Sequence, residues 1–284
     1  MSVTVLPEFT EADAGRVLEL INTDRLPGQP ECTAEMLRLA VSGSSPIDGA
    51  WWAELSDLRT RVLHGADGRP VGVVAFARRE RDNAGVVLWL HAREDPARVG
   101  LLLDHALAEL EGCATVEAFS FATALSLGLE ALPVRHRPAT HAALLERGFT
   151  GSDLWRYMRR DLPADLPVTG YRSEAAVDQD GLVLRIDRGG ETVAEATIGD
   201  PVAGVGVLWW ISVQPQARGE GLGLKLLGSA LELLAEQGAH EAILYVDDDA
   251  PADGPQRSRA AANAMYDRAG FTEVDRLYAF VRQA

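Results

Sequence analysis

Cysteine is scarce: Cys32 and Cys113 are the two in a chain of 284 residues. That is too few for a disulfide framework, and their spacing is not that of a metal site. Both are expected as core thiols. The six histidines are scattered, with no His-x-x-x-His pair and no Cys-x-x-Cys pair beside them, so no metal is expected. No run of about 18 apolar residues is present for a membrane span. The first residues show neither the basic segment nor the apolar core of a secretory signal. The expectation is a cytoplasmic protein without a membrane partner. Positive charge is also short, with 27 Lys and Arg against 42 Asp and Glu and a net charge of −15. That balance argues against nucleic-acid and anionic-membrane partners. It would suit a cationic acceptor such as an amine, although a solvated acidic surface gives the same sum. Lys225 is the single lysine.

What is present concentrates near the C-terminus, in Trp209-Trp210-Ile211-Ser212-Val213-Gln214-Pro215-Gln216-Ala217-Arg218-Gly219-Glu220-Gly221-Leu222-Gly223-Leu224-Lys225. A β-branched and aromatic run ends in a turn signal. A glycine-rich turn then opens a helix whose Leu222, Leu226, Leu227, Ala230, Leu231 and Leu234 recur at helical spacing. A helix N-terminus has free N–H groups and a partial positive charge, so it can hold a phosphate. Gly219, Gly221 and Gly223 allow close backbone approach, and Arg218 adds a charged donor. An ordinary strand-to-helix turn is the plainer alternative. The glycines are not spaced as in a dinucleotide fingerprint, and Lys225 is followed by Leu226 rather than the Ser or Thr of a nucleotide phosphate loop.

The pattern that fits is Arg-x-x-Gly-x-Gly in Arg218, Gly221 and Gly223. It resembles the acyl-CoA pyrophosphate loop of the GCN5-related N-acetyltransferases, the GNAT family. A second likeness follows at the right distance. Glu241 to Val246 reads as a buried strand, an acidic loop runs from Asp247 to Pro255, and a short helix begins near Ala260. Its end, Tyr266-Asp267-Arg268-Ala269-Gly270-Phe271, resembles the family's Tyr-x-x-x-Gly-Phe. In that family the tyrosine hydroxyl protonates the departing CoA thiolate.

The N-terminal half holds a faded copy. Phe149-Thr150-Gly151-Ser152-Asp153 matches Phe271-Thr272-Glu273-Val274-Asp275, and at the same offset Val71–Phe76 matches Val193–Ile198 and Leu88–Leu90 matches Trp210–Ser212. One domain-length repeat implies two copies of one fold. The copies differ where the chemistry would lie. The loop His91–Gly100 lacks the three close glycines and carries Glu94 and Asp95, which would repel a pyrophosphate. The position matching Tyr266 is Leu144, which has no proton to donate.

The resemblance therefore implies an α/β protein of the mixed-sheet, α+β kind, with two tandem GNAT-like domains. The expected boundaries are a degenerate domain at 1–160, structural or acceptor-shaping, a proline-bearing linker at 161–167, and an acetyl-CoA-binding domain at 168–284. In the first copy the expected strands are 3–6, 59–66, 70–79, 84–92, 114–121 and 149–160. The expected helices are a first capped at Thr10, a second capped at Thr33, then 97–111 and 139–147. Residues 122–138 resist assignment. In the second copy strands are expected at 182–187, 207–213 and 241–247.

The implied activity is transfer of an acetyl group from acetyl-CoA, as co-substrate, to an amine of a small molecule by direct attack in a ternary complex. Ile211, Ser212 and Val213 would meet the pantetheine arm, and Arg218, Gly219, Glu220, Gly221, Leu222 and Gly223 the pyrophosphate. Asn263 would be a further cofactor contact. Arg259 stands where the family often has a pantetheine-contacting Asn, and with Arg257 it would meet CoA phosphates or serve as a solvated helix-end charge. Tyr266 would be the general acid. The base is open: Asp247 or Glu195, directly or through water. A glutamate that acts as base in a tandem member of the family falls at Val207. An acyl-CoA-binding pseudoenzyme or sensor is the alternative function, and a monomer or homodimer is the expected state.

Overall fold

The structure is a computed structural model that describes residues 5–45, 49–127, 129–169, 176–178, 181–247 and 260–283. The chain forms two compact units. Unit 1 is Met1–Leu26, Glu31–Leu154 and Asp275–Ala284; unit 2 is Pro27–Pro30 and Trp155–Val274.

Unit 1 runs α1 (Ala14–Thr23), α2 (Ala34–Val41), α3 (Gly49–Trp52), β1 (Leu55–His64), β2 (Pro70–Arg79), β3 (Ala84–His91), α4 (Pro96–Glu109), β4 (Thr115–Ala118), β5 (Leu132–Pro133) and α5 (Pro138–Glu146). The capping signals act as expected. The Asp13 carboxylate accepts from the Thr10 N–H at 2.9 Å, and Thr33 Oγ1 accepts from the Met36 N–H at 3.2 Å. Val5 and Leu6, the described part of the expected first strand, are not in a strand; the nearest pairing is a single bridge of Glu8 with Arg61. The short helix α3 was not foreseen, since four residues are too few to show a period.

Unit 2 contains β6 (Thr150–Asp161) from Trp155 onward, β7 (Ala176–Asp178), β8 (Gly181–Arg188), β9 (Glu191–Val202), β10 (Val205–Val213), α6 (Leu222–Glu236), β11 (Glu241–Asp247) and α7 (Ala260–Arg268). The final strand, β12 (Thr272–Gln283), returns to unit 1 from Asp275.

The repeat is plain in the element bounds. α5 at 138–146 matches α7 at 260–268, and β6 at 150–161 matches β12 at 272–283. Yet the two closing strands change places. β6 pairs antiparallel with β11, from Trp155↔Asp247 to Asp161↔Glu241. β12 pairs antiparallel with β4, from Phe280↔Ala118 to Gln283↔Thr115. Each unit is thus closed by the strand that follows the other copy's last helix. The expected linker at 161–167 begins at the last residue of β6 and lies before β7, so a cut there would not separate the two units.

Within unit 1 the strand order is β1-β2-β3-β4-β12, with β5 on β12. Within unit 2 it is β6-β11-β10-β9-β8-β7. Both runs of strands are mixed: β3 and β4 are parallel across the crossover helix α4, as are β10 and β11 across α6. All six apolar positions of α6 named above are buried against the unit 2 sheet. Full burial of a leucine stabilises by roughly 1.5–3 kcal/mol, so this stripe anchors the helix whose N-terminus forms the site. In unit 1, residues of α4 and α5 share one core cluster, while α1 and α2 share another with Trp52, Trp89 and Phe121. Cys32 and Cys113 are buried free thiols, and burial pushes Cys32 up to about 12.

Candidate active site

The site begins where two parallel strands part. β10 and β11 pair from Val205↔Glu241 to Leu208↔Leu244 and no further. Both strands run on: β10 stays paired with β9 to Val213↔Ala194, and β11 with β6 to Asp247↔Trp155. The register of β9 against β10 slips between Leu208 and Trp210, a bulge at Trp209. A bulge bends its strand and increases its twist, and here it stands at the point of separation. Among the described residues, backbone groups of 209–213 that face away from β9 are therefore left without a strand partner; apart from the Val213 carbonyl, which accepts from Arg218, they can meet a ligand with amides of its own.

The glycine-rich turn follows directly. Gly219 and Gly221 adopt left-handed φ of +84° and +76°, with nothing within 4 Å of an added Cβ. Their need is conformational: an L-residue there costs about 1–2 kcal/mol. Gly223 has the opposite reason. A Cβ on it would stand 3.1 Å from Met265 Sδ, so its absence lets α7 lie against the start of α6. The helical ladder opens with the Lys225 N–H donating to the Gly221 carbonyl at 3.2 Å. The N–H groups of the preceding turn have no intrahelical acceptor, and the helix dipole makes that end favourable for an anion. Arg218 folds back, its Nε donating to the Val213 carbonyl at 3.0 Å. Glu220 is exposed and paired with Arg188 at 2.7 Å. Leu222 is buried in the α6 core, whereas Ile211, Ser212 and Val213 are partly buried.

On α7, Tyr266 is buried, with its ring edge-on to Phe271 at 6.0 Å between centroids. Asn263, one turn before it, is buried too, and its Oδ1 accepts from Arg156 Nη1 at 2.5 Å. Of the two candidate bases, Glu195 is held by Arg185 Nε at 2.8 Å, and Asp247 ends the described part of β11. Val207 is buried. Arg257 and Arg259 lie outside the described residues.

The structure adds groups that the sequence did not indicate. Trp209 and Tyr245 stack at 6.5 Å and 27°, and Tyr245 and Tyr157 at 5.4 Å and 25°, a row on the sheet face opposite α6. Gln29, from the Pro27–Pro30 segment of unit 2, donates to the Tyr157 hydroxyl at 3.0 Å, which itself donates to the Pro27 carbonyl at 3.1 Å. Burial pushes both tyrosine hydroxyls above their ordinary range, so they stay protonated. No sequence signal links Gln29 to Tyr157, because 128 residues separate them.

Unit 1 shows the same geometry with its openings filled. β3 and β4 pair in parallel only to Val87↔Ala118, while β3 continues against β2 to His91↔Val73. In that gap the buried Arg137 donates from Nη2 to the Leu90 carbonyl at 2.7 Å and from Nε to Glu94 at 2.6 Å. Glu94 also accepts from the Thr140 hydroxyl and N–H at 2.6 and 3.0 Å. Asp95 caps α4, accepting from the N–H groups of Ala97 and Arg98 at 3.1 Å each. The α4 N-terminus thus already holds a carboxylate of its own chain. Behind it, His91 bonds Asp24 at 3.1 Å. Burial pushes the His91 imidazole down against the pull of Asp24. Burial works to raise the Asp24 carboxyl, but the hydrogen bond with His91 and the Arg137 charge behind hold it below the usual range. Leu144, in place of Tyr266, is fully buried.

With this geometry in view, the comparisons are specific. Residues 151–271 match the Acetyltransferase (GNAT) family. The mycothiol acetyltransferase of Salinispora arenicola is 27% identical over 308 residues, covering 92% of this chain and 95% of the relative. That of Clavibacter michiganensis subsp. michiganensis is 29% identical over 245 residues, covering 75% and 76%. Among solved structures, a GCN5-related N-acetyltransferase from Sphaerobacter thermophilus superposes with a TM-score of 0.62 at 16% identity, covering 98% of this chain and 95% of that one. A tandem GNAT protein from the clavulanic acid biosynthesis pathway gives 0.60 at 16% identity, covering 96% and 95%. These structural likenesses bear on the fold, which is that of two tandem GNAT-like domains. Among the described residues no helix is long and apolar enough to cross a membrane.

Proposed function

We propose that this chain, whose residues 151–271 match the Acetyltransferase (GNAT) family, moves an acetyl group in unit 2 from acetyl-CoA directly to an amine of a small molecule. The observation that carries the assignment is the parting of β10 from β11 beside an uncapped, glycine-rich helix N-terminus. The pantetheine arm lies along residues 211–213, where backbone groups have no strand partner. The pyrophosphate meets the N–H groups from Arg218 to Gly223. A neutral amine attacks the thioester carbonyl, the C–S bond breaks, and the Tyr266 hydroxyl gives its proton to the leaving thiolate. With Glu195 tied to Arg185, the proton lost by the amine goes to water or to Asp247. The relatives named mycothiol acetyltransferase direct the choice of acceptors toward small amines that also bear a thiol.

The experiment is release of CoA from acetyl-CoA in the presence of a panel of amines that includes cysteine amides and amino sugars. Turnover with at least one amine, with titration of one CoA per chain, is the expected result. CoA binding without release against any of the panel would turn the assignment toward a binding protein, and no CoA binding would remove it.

A further inference from the structure

Strand β6 reaches α7 with two arginines on the face that packs toward α6, the face of Met158. Arg160 donates to the Ala269 carbonyl just beyond the end of α7. Arg156 does more, because each guanidinium nitrogen has its own acceptor. Nη1 donates to Asn263 Oδ1 at 2.5 Å, Nη2 to Asp267 Oδ1 at 3.2 Å and Nε to Glu273 Oε2 at 2.8 Å. Asn263 stands three residues before Tyr266 and Asp267 one after it, and Glu273 belongs to the strand that follows α7.

We propose that Arg156 is a positioning residue for Tyr266, fixing the rotation and register of α7 so that the phenol is aimed at the departing sulfur. The proposal rests on the assignment of Tyr266 as acid. The physical grounds are three. α7 is nine residues long, and helices shorter than about 12–15 residues are marginal unless tertiary contacts hold them. A guanidinium is a rigid planar fork, so an acceptor on each of its three nitrogens defines an orientation as well as a distance. The Arg156 side chain is largely buried at 14% exposure and Glu273 at 19%, so that ion pair is screened less than a surface pair, whereas Asp267 is exposed. A helix so held turns a small rotation into a large error at Tyr266, and misplacement by about 1 Å can cost on the order of 100-fold in rate.

The test measures kcat and KM for acetyl-CoA in amine-dependent CoA release. It compares the parent chain with Arg156→Gln, Arg156→Lys, Tyr266→Phe and the double variant Arg156→Gln/Tyr266→Phe. Arg156→Gln is expected to lower kcat by roughly 10- to 100-fold while KM for acetyl-CoA stays within about threefold. The double variant should be no slower than Tyr266→Phe alone, within about twofold, because no proton remains to be aimed. Arg156→Lys keeps the charge and loses the fork; it should melt near the parent temperature and still be slow. It carries the test if Arg156→Gln does not fold. Arg156 variants that turn over within about twofold of the parent while Tyr266→Phe is slow would overturn the positioning role alone. So would losses that multiply in the double variant. A fast Tyr266→Phe would overturn the acid and the positioning role together.

Discussion

Units 1 and 2 part the same pair of strands and do opposite things with the gap. In unit 2 the gap beyond Leu208 and Leu244 leads to a turn whose glycines keep helix N–H groups open. In unit 1 the equivalent gap beyond Val87 and Ala118 receives Arg137, and Asp95 occupies the helix end. What separates them is therefore neither the sheet nor the crossover helix. It is whether the anion at the helix end and the partner for the free strand are supplied from outside or by the chain itself. A carboxylate at an N-cap and a phosphate at a helix N-terminus answer the same physical demand. Asp95 takes the α4 N–H groups where, on the proposed reading, unit 2 would take a phosphate, and Glu94 holds Arg137 in the gap.

Four experiments press on that contrast. The largest effect is expected at the acid. Tyr266→Phe should reduce turnover about 10²–10⁴-fold with CoA affinity nearly unchanged, while Leu144→Tyr in unit 1 should add no activity. A Tyr266→Phe variant that matches the parent in CoA release would remove the acid from the mechanism.

Next is the cradle. Gly221→Glu places a carboxylate and a Cβ-bearing residue at a left-handed position beside the pyrophosphate. It should weaken CoA by at least about 100-fold, since like charges about 4 Å apart near a protein surface repel by roughly 4 kcal/mol. Calorimetric titration checks it, and unchanged affinity in a folded variant would mean that this turn does not hold the phosphates.

A smaller effect is expected from Asp95→Ala. Loss of the cap should destabilise unit 1 by about 1 kcal/mol in denaturant. It should leave CoA stoichiometry at one, because Glu94 and Arg137 still fill the gap. A second equivalent of CoA would show that Asp95 alone keeps unit 1 closed.

The smallest effect is on pH dependence. His91 is held neutral with a depressed pKa, and Asp24 is held ionised with a depressed pKa. In both cases the unfolded chain binds more protons over the intervening range, so stability falls as pH falls. The His91 share begins to be lost below its ordinary value of about 6.5, the Asp24 share below about 4. Melting temperatures between pH 7 and 5 should fall more steeply in the parent than in His91→Gln. Equal slopes would place the acid sensitivity elsewhere.

Much of this contrast was legible in the residues. The stripe from Leu222 to Leu234, the three glycines and Tyr266 are local patterns, and period, spacing and turn chemistry read them directly. The repeat announced two copies of one fold. Leu144 and the missing glycines marked the altered one. The way that copy's gap is filled was half legible: Asp95 caps α4 through N–H groups two and three residues on, a local pattern, but that Glu94 binds Arg137 depends on folding across 43 residues. Arg156 gave no signal, since its three acceptors lie 107 to 117 residues away. The crossing of β6 and β12 was equally hidden. Each strand has the composition its own copy would need, and pairing partners of similar strands are a property of topology that no local window contains.

That crossing bears on how such a chain can change over generations. A redundant copy in a duplicated gene is ordinarily free to be lost. Here deletion of everything before the linker would remove β6, leaving the hydrogen-bonding edge of β11 bare and α7 without Arg156 and Arg160. An exposed edge of that kind invites association with other chains. The N-terminal copy can drift in its loops, yet it cannot be discarded, because unit 2 keeps one of its own strands there.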